Sequence, residues 1–396
     1  MTDTGNSGKT DQNAVLRARV LLLGSGEPSL WARIGAYRVL AQVSPKAYLP
    51  KLVDALVERG HELRDPEVRV RLFAEAAEAA RRIEAGVPGR TERLRHALNA
   101  HQGVLFALGR RAEGRAVCEE LAAAGWSGRL ALVLAEEGRF REAAELNERS
   151  VRDGNGEHTF WSRVEWTANL EAAGMREEAL KVFGELVDDG RRKAAEQRTA
   201  LAVLTWELVH QSRMFDAAGR RAEAVAARRE ALGVLEELAA TGEPRTWSCL
   251  LSWWATLFVL SGRDAEPAAG PGAPMPPFGT GEGWSADARA AYTGDLPRLE
   301  EEAALLRADG RLAELVDVQR RITLRAVSRD GHSPYRFEER MRPFLDEGVA
   351  LARRLPDDPG RLARALTDRA AYFAAARTFG PAHADFAEAV ALLDRP

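Results

Sequence analysis

Cysteine is nearly missing from this chain. Only Cys118 and Cys249 occur in 396 residues, far apart, with no CxxC partner and no histidine at metal-ligand spacing. A disulfide framework and a structural zinc site therefore have no basis here. Two thiols in apolar, helix-like surroundings fit a reducing compartment, so a cytoplasmic location is expected. A basic surplus is missing too: 56 Lys and Arg face 59 Asp and Glu, a net charge of −3. Proteins held by phosphates carry a positive excess, so nucleic acid is not an expected partner. Long apolar runs are also scarce. The exception, "TWSCLLSWWATLFVLSG" (246–262), is uncharged for 17 residues but contains three Ser and two Thr, and it reads as a buried core helix rather than a membrane span. The start, "MTDTGNSGKTDQN", has no basic-then-apolar run, and no signal peptide is expected.

Catalytic signatures are equally sparse. There is no HExxH, no GxSxG, no phosphate-binding G-x-x-x-x-G-K-[ST], and no GxGxxG leading out of a strand. "HELRD" (61–65) begins like a zinc-protease motif but has Asp65 where histidine is required. His96 and His101 are five apart, which points them to different sides of a helix. Adjacent carboxylates such as Glu119–Glu120 and Asp188–Asp189 read as solvated helix faces. No enzymatic activity, metal or cofactor is expected.

What is present is helix. From about residue 13 to 262, Ala, Leu, Glu and Arg dominate, and apolar residues return every three or four positions. Phe140, Ala143, Ala144 and Val151 fall on one stripe, as do Ala179, Leu180, Phe183, Leu186 and Val187. Short breaks such as Ser44-Pro45, Asp65-Pro66 and Pro88-Gly89 predict antiparallel helix pairs. One phrase recurs in "AEEGRFREAAELNERSVRDG", "EAAGMREEALKVFGELVDDG" and "DAAGRRAEAVAARREALGVL". A glycine followed by a basic or bulky residue marks each copy and recurs elsewhere: Gly109-Arg110, Gly138-Arg139, Gly174-Met175, Gly219-Arg220, Gly262-Arg263 and Gly310-Arg311. These glycines are expected in the left-handed conformation that closes one helix before the next begins. Five residues after four of them stands a small residue, Gly114, Ala143, Ala179 or Ala224, which lets the second helix cross the first closely.

With Gly174 at the turn, Ala179 at the small position, and Phe183 and Leu186 on the packing stripe, "AAGMREEALKVFGELV" resembles the tetratricopeptide-repeat superfamily. The likeness runs over about 90–262 and again over 297–327, while 364–393 is out of register after Gly380. The resemblance implies an all-α fold, a right-handed superhelical α-solenoid of stacked antiparallel helix pairs. Single hairpins cannot bury their apolar faces in water; stacking makes one continuous core. The expected organisation is a tail (1–12), helical hairpins (13–90), repeats (91–262), a Pro/Gly-rich segment (263–284) and further repeats (285–396). "RDAEPAAGPGAPMPPFGTGEG" (263–283) holds five prolines and five glycines and reads as a linker, an insertion or a docking segment.

The resemblance also implies that the first helix of each pair lines a concave groove. The matching positions are His96 and Asn99 before Gly109, Trp161 and Val164 before Gly174, and Trp206, Val209 and Arg213 before Gly219. Trp161 and Trp206 are read as either groove or core. A second candidate is the turn at His332, Tyr335 and Arg336. The expected function is a scaffold gripping a protein or peptide in the groove; the alternative is a receptor module whose superhelix changes curvature on binding a ligand. With no helix-turn-helix in the first 90 residues and no preceding ATPase motif, direct control of DNA is disfavoured. The partner's identity and the oligomeric state stay open.

Overall fold

A computed structural model describes residues 11–24, 26–152, 159–197, 200–243, 250–276, 283–330 and 337–395. Among these the regular structure is helical, with no strand beyond one isolated bridge between Gly270 and Ala273. The chain divides into two compact units, Met1–Leu130 with Ser285–Asp287, and Ala131–Trp284 with Ala288–Pro396.

The first unit contains α1 (Gln12–Leu23), α2 (Leu30–Val43), α3 (Pro45–Glu62), α4 (Pro66–Arg81), α5 (Arg90–Ala107) and α6 (Arg111–Ala123), each packed on the next. Pro45 and Pro66 sit in the first turns of their helices, where a missing N–H costs nothing, and the Asp65 carboxylate caps α4 by accepting from the N–H groups of Glu67 and Val68. Leu49, Leu56, Ala76, Ala80 and Leu98 form the core between them. Gly60 has an ordinary reason for being glycine: an added Cβ would lie 2.3 Å from the Phe73 ring. The segment 285–287 is tied to this unit by Arg111, which donates to Asp287 at 3.0 Å, and by Arg129, which donates to Ser285 Oγ at 2.8 Å.

After α7 (Gly128–Glu136), the second unit holds α8 (Phe140–Arg152), α9 (Thr159–Ala172), α10 (Arg176–Glu196), α11 (Leu201–Ala217), α12 (Arg221–Thr241), α13 (Leu250–Leu260), α14 (Ala286–Gly294), α15 (Leu296–Ala308), α16 (Leu312–Asp330), α17 (Phe337–Ala352), α18 (Pro359–Ala375) and α19 (Phe379–Leu393). Helices α8 to α12 pack in chain order, and so do α15 to α19. The two runs then meet out of chain order, because α12 packs on α19 rather than continuing into α13. Helix α13 instead touches α11, α16 and α18. Its sequence, LLSWWATLFVL, is apolar on every side, and Trp253, Trp254, Leu257, Phe258 and Leu260 are all buried. It is 11 residues long, roughly 16 Å against the ~30 Å of a bilayer core. No described helix is long and apolar enough to cross a membrane.

The repeated turn has one geometry. Gly109, Gly138, Gly174, Gly219 and Gly310 all take φ between 70° and 78°. The residue after each donates its N–H to the carbonyl five positions back, as Arg110 does to Leu105 at 2.9 Å and Arg220 to Phe215 at 2.9 Å. The small residues that follow are fully enclosed: Ala143, Ala179 and Ala224 have no exposed surface, and a Cβ on Gly114 would meet the Phe106 ring at 3.0 Å.

One expectation about these turns needs correcting. Gly262 does not take the left-handed conformation; its φ is −103°. It is glycine for lack of room, since an added Cβ would lie 2.2 Å from Leu324 Cδ1. In the last hairpin the turn is not at Gly380, which lies inside α19, but at Arg377. Arg377 adopts φ 60°, with Thr378 N–H donating to the Phe373 carbonyl at 2.7 Å. A non-glycine residue thus fills the same left-handed position.

Candidate functional site

The face expected to be a groove is built by α9 and α11, and in this chain α13 lies over it. Trp161 on α9 is half-buried and meets Trp253 of α13 edge-on, with ring centroids 5.2 Å apart. Val164, Trp206 and Val209 are buried in the same core cluster. Arg213 keeps 32% of its side chain open. His96 and Asn99 belong to the first unit: His96 is exposed with its Nε2 3.0 Å from Glu92 Oε1, and Asn99 is half-buried. His332, Tyr335 and Arg336 lie outside the described residues.

Around α13 the helices leave clefts. The first is small, about 20 Å³ and partly open to solvent, between Trp206, His210 and Arg213 of α11, Trp254 and Phe258 of α13, and Asp368 of α18. Its polar groups are unevenly satisfied. The buried Trp206 indole N–H and both His210 ring nitrogens have no hydrogen-bond partner among the described residues. His210 packs on the Phe183 ring at 4.9 Å, and the nearest acid, Glu171, is 3.7 Å from its Nε2. Buried polar atoms left this way each cost about 1–3 kcal/mol unless something else answers them.

Asp368 organises the charge. Only 5% of its side chain is exposed, and it accepts from Arg320 Nε at 2.7 Å and from Arg213 Nη2 at 3.0 Å. Burial disfavours its charged form, but the guanidiniums of Arg320 and then Arg213 outweigh this and hold its pKa below the usual carboxylate value. Arg320 also donates to Ser261 Oγ at 2.8 Å, at the end of α13. One carboxylate therefore ties α11, α16 and α18 to the end of the central helix.

His210 and Arg213 are shared with a wider, more polar cleft of about 200 Å³ that adds Glu171, Arg176, Arg263 and Asp264. Burial brings the Arg263 pKa down to about 10, against the pull of Glu171 and Asp264, while one of its N–H groups donates to the Ala168 carbonyl at 2.6 Å. Beyond it a cleft of about 240 Å³ is walled by Phe140, Tyr292 and the start of the Pro/Gly-rich segment. That segment is seated on the α7–α8 turn. Met275 N–H donates to the Glu136 carbonyl at 2.9 Å, and a Cβ on Gly138 would lie 2.5 Å from the Ala269 carbonyl oxygen. Behind this wall Arg325 donates to Glu266 and Asp295 at 2.7 and 2.8 Å and lies over the Tyr292 ring at 4.5 Å.

Sequence reasoning placed Trp206, Val209 and Arg213 on one face and missed what completes it: His210, Ser261, Arg320 and Asp368. One signal was there. In "RLARALTDRAAYFAA" an aspartate interrupts a helix that is otherwise apolar on two faces, a position where a charge needs a buried partner. No group of three or more His, Cys, Asp or Glu residues suited to a metal ion occurs among the described residues. No protein-family model matches the chain, and no curated protein matches its sequence.

Proposed function

We propose that this chain is a non-enzymatic binding protein, built as a right-handed tetratricopeptide-like solenoid of helix pairs, whose second unit is a receptor for a small ligand or peptide end held beside α13. The repeated left-handed glycine turn followed by an enclosed small residue supports the architectural part of this reading. The functional part is carried by one observation. The adjoining clefts at His210 and Arg213, of about 20 and 200 Å³, combine aromatic walls, unanswered polar atoms and arginines. Ligand sites have this mixture of apolar lining with a few convergent polar groups. A ligand there touches α11, α13 and α18 at once, so binding would be felt by both runs of helices.

A thermal-shift screen of metabolites and short peptides tests the reading, with wild type beside Arg213→Gln. A specific ligand at a hundred times its Kd stabilises by about 2.7 kcal/mol. The melting temperature of wild type should rise with ligand concentration, and the variant should lose most of that response while keeping its helicity. Ligands that shift both proteins equally would remove the site from Arg213.

The scaffold reading is kept as a second possibility because one surface favours it. On α1, Leu16, Val20 and Leu23 are exposed at 61%, 61% and 84%, and Trp31 on α2 at 41%. Isolated exposed apolar residues are ordinary, but a stripe on one helix suits a protein partner. A pull-down from native extract with Leu16→Asp, Val20→Asp beside wild type tests it, and equal recovery from both would discard it.

A further inference from the structure

The wider cleft at His210, about 200 Å³, is lined by charges that the fold leaves unclaimed. Two of its arginines are engaged: Arg213 donates to Asp368 at 3.0 Å and Arg263 to the Ala168 carbonyl at 2.6 Å. Arg176 makes no hydrogen bond or ion pair among the described residues. At the same step past the turn glycine, Arg111 donates to Asp287 at 3.0 Å and Arg221 to the Arg395 carbonyl at 2.7 Å. Arg176 opens α10, where the helix N-terminus adds to the attraction for an anion.

Two carboxylates are left over as well. Asp264 is exposed and makes no hydrogen bond among the described residues. Glu171 makes none either, its nearest partner being His210 Nε2 at 3.7 Å. His210 is 5% exposed, lines the cleft, and has no hydrogen-bond partner for either ring nitrogen among the described residues. A buried imidazole left unanswered costs stability, which a ligand in the cleft would restore. Unused donors and unused acceptors thus face one small space, and a ligand carrying both charges answers both.

The neighbouring cleft, about 240 Å³, shares Ala172, Arg263 and Asp264 with the first. Phe140, Val259 and Met275 make it apolar. Its Glu266 is taken by Arg325 at 2.7 Å and by the Tyr292 hydroxyl at 3.0 Å, while the Arg263 guanidinium lies over the Phe140 ring at 5.1 Å. A cavity of roughly 150 Å³ takes a benzene-sized body, so this space suits one large apolar side chain. Ala172, the last residue of α9, stands where the two clefts join.

Resting on the reading of the second unit as a receptor, we infer that these two clefts together bind one free α-amino acid with a large apolar side chain. Its carboxylate accepts from Arg176 and His210, its ammonium donates to Glu171 and Asp264, and its side chain passes Ala172 into the apolar cleft. Ammonium and carboxylate share one carbon in such a molecule, as Glu171 and His210 stand side by side here.

Isothermal titration of the full chain with L-phenylalanine and L-leucine tests the inference. Phenethylamine and isoamylamine lack the carboxylate, hydrocinnamate and isocaproate lack the ammonium, and glycine lacks the side chain. Wild type should bind at least one of the two amino acids tenfold or more tightly than its amine, its acid and glycine. Arg176→Gln should weaken that amino acid about tenfold and leave the amine unchanged. Glu171→Gln should weaken it similarly and leave the acid unchanged. Ala172→Leu, which plugs the junction, should abolish binding. The melting temperature of Arg176→Gln should not fall, since a cation is unfavourable at a helix start, and circular dichroism checks that each variant is folded. No binding of either amino acid to wild type at millimolar concentration, equal binding of amino acid and amine or acid, or undiminished binding to Arg176→Gln each overturn the inference. The Arg213 reading fails by a different result, an equal response of wild type and Arg213→Gln to every ligand of the thermal-shift screen.

Discussion

At the scale of single residues, two of the second unit's buried carboxylates, Asp368 and Glu207, have opposite habits. Asp368 has two guanidiniums and stays charged; removing either partner would leave a largely buried charge under-compensated. Glu207 on α11 is 1% exposed and has no such answer, and its Oε2 has no hydrogen-bond partner among the described residues. Burial pushes its pKa up to about 8, with Lys193 opposing and Asp189 adding to the rise. Room for the carboxyl comes from Gly190 on α10, where an added Cβ would lie 2.1 Å from Oε2. A raised carboxyl pKa means that the folded chain holds a proton the unfolded chain has released, so stability falls as pH climbs from about 4.5 to about 8. Glu207→Gln removes that loss. In melting experiments at several pH values the variant should match wild type near pH 4.5 and gain on it up to about pH 8, reaching roughly 1–3 kcal/mol. A constant difference across this range would mean that Glu207 does not titrate there.

At the scale of elements, turns and ion pairs repeat together. Each Gly-Arg turn is followed by a glutamate three residues after the arginine, pairing Arg110 with Glu113, Arg139 with Glu142, Arg220 with Glu223 and Arg311 with Glu314. The same arginines reach back across neighbouring hairpins, Arg110 to Glu67 at 3.5 Å and Arg220 to Glu177 at 3.4 Å. Exposed pairs of this kind add little individually, about 0–1 kcal/mol, and mark register more than strength. Gly262 stands apart, because packing and not φ demands glycine there. Gly262→Ala should destabilise by about 1–3 kcal/mol through overpacking against Leu324. Leu324→Ala in the same chain should recover part of that loss in a double-mutant cycle; strict additivity in denaturant melts would show that the two do not meet.

At the scale of the whole molecule, the order of helices in space within the second unit departs from their order in sequence. A simple array couples each repeat to its neighbours in the chain. Here the last helix packs on α12, and α13 is held by helices from both runs. Phe386 of α19, 1% exposed, shares its core cluster with Leu208 of α11, Leu235 of α12 and Trp253 of α13. Phe386→Ala should cost about 3–5 kcal/mol. Hydrogen exchange should then quicken in α11, α12 and α13 as much as in α18 and α19. Loss of protection confined to the final hairpin would mean that the closure onto α12 carries little energy.

The amino-acid sequence by itself determined the helices, their turns and their small-residue contacts, because these depend on periodicity, glycine conformation and capping within a few residues. It also marked α13 as buried, since an uncharged helix apolar on all sides has no solvent-facing option. Tertiary structure alone decided what covers the face of α9 and α11. Trp161 and Trp206 were equally at home in a groove or a core, and the choice was made by α13 and α18, which return to α11 from far along the chain. The pairing of Arg213 and Arg320 with Asp368 was hidden for the same reason, since no local pattern records which distant charge will share a buried site. Gly262 and Arg377 show that limit at the smallest scale. The glycine answers to Leu324 across the unit, and the arginine accepts a strained φ at a turn where its side chain meets Glu243 at 3.4 Å.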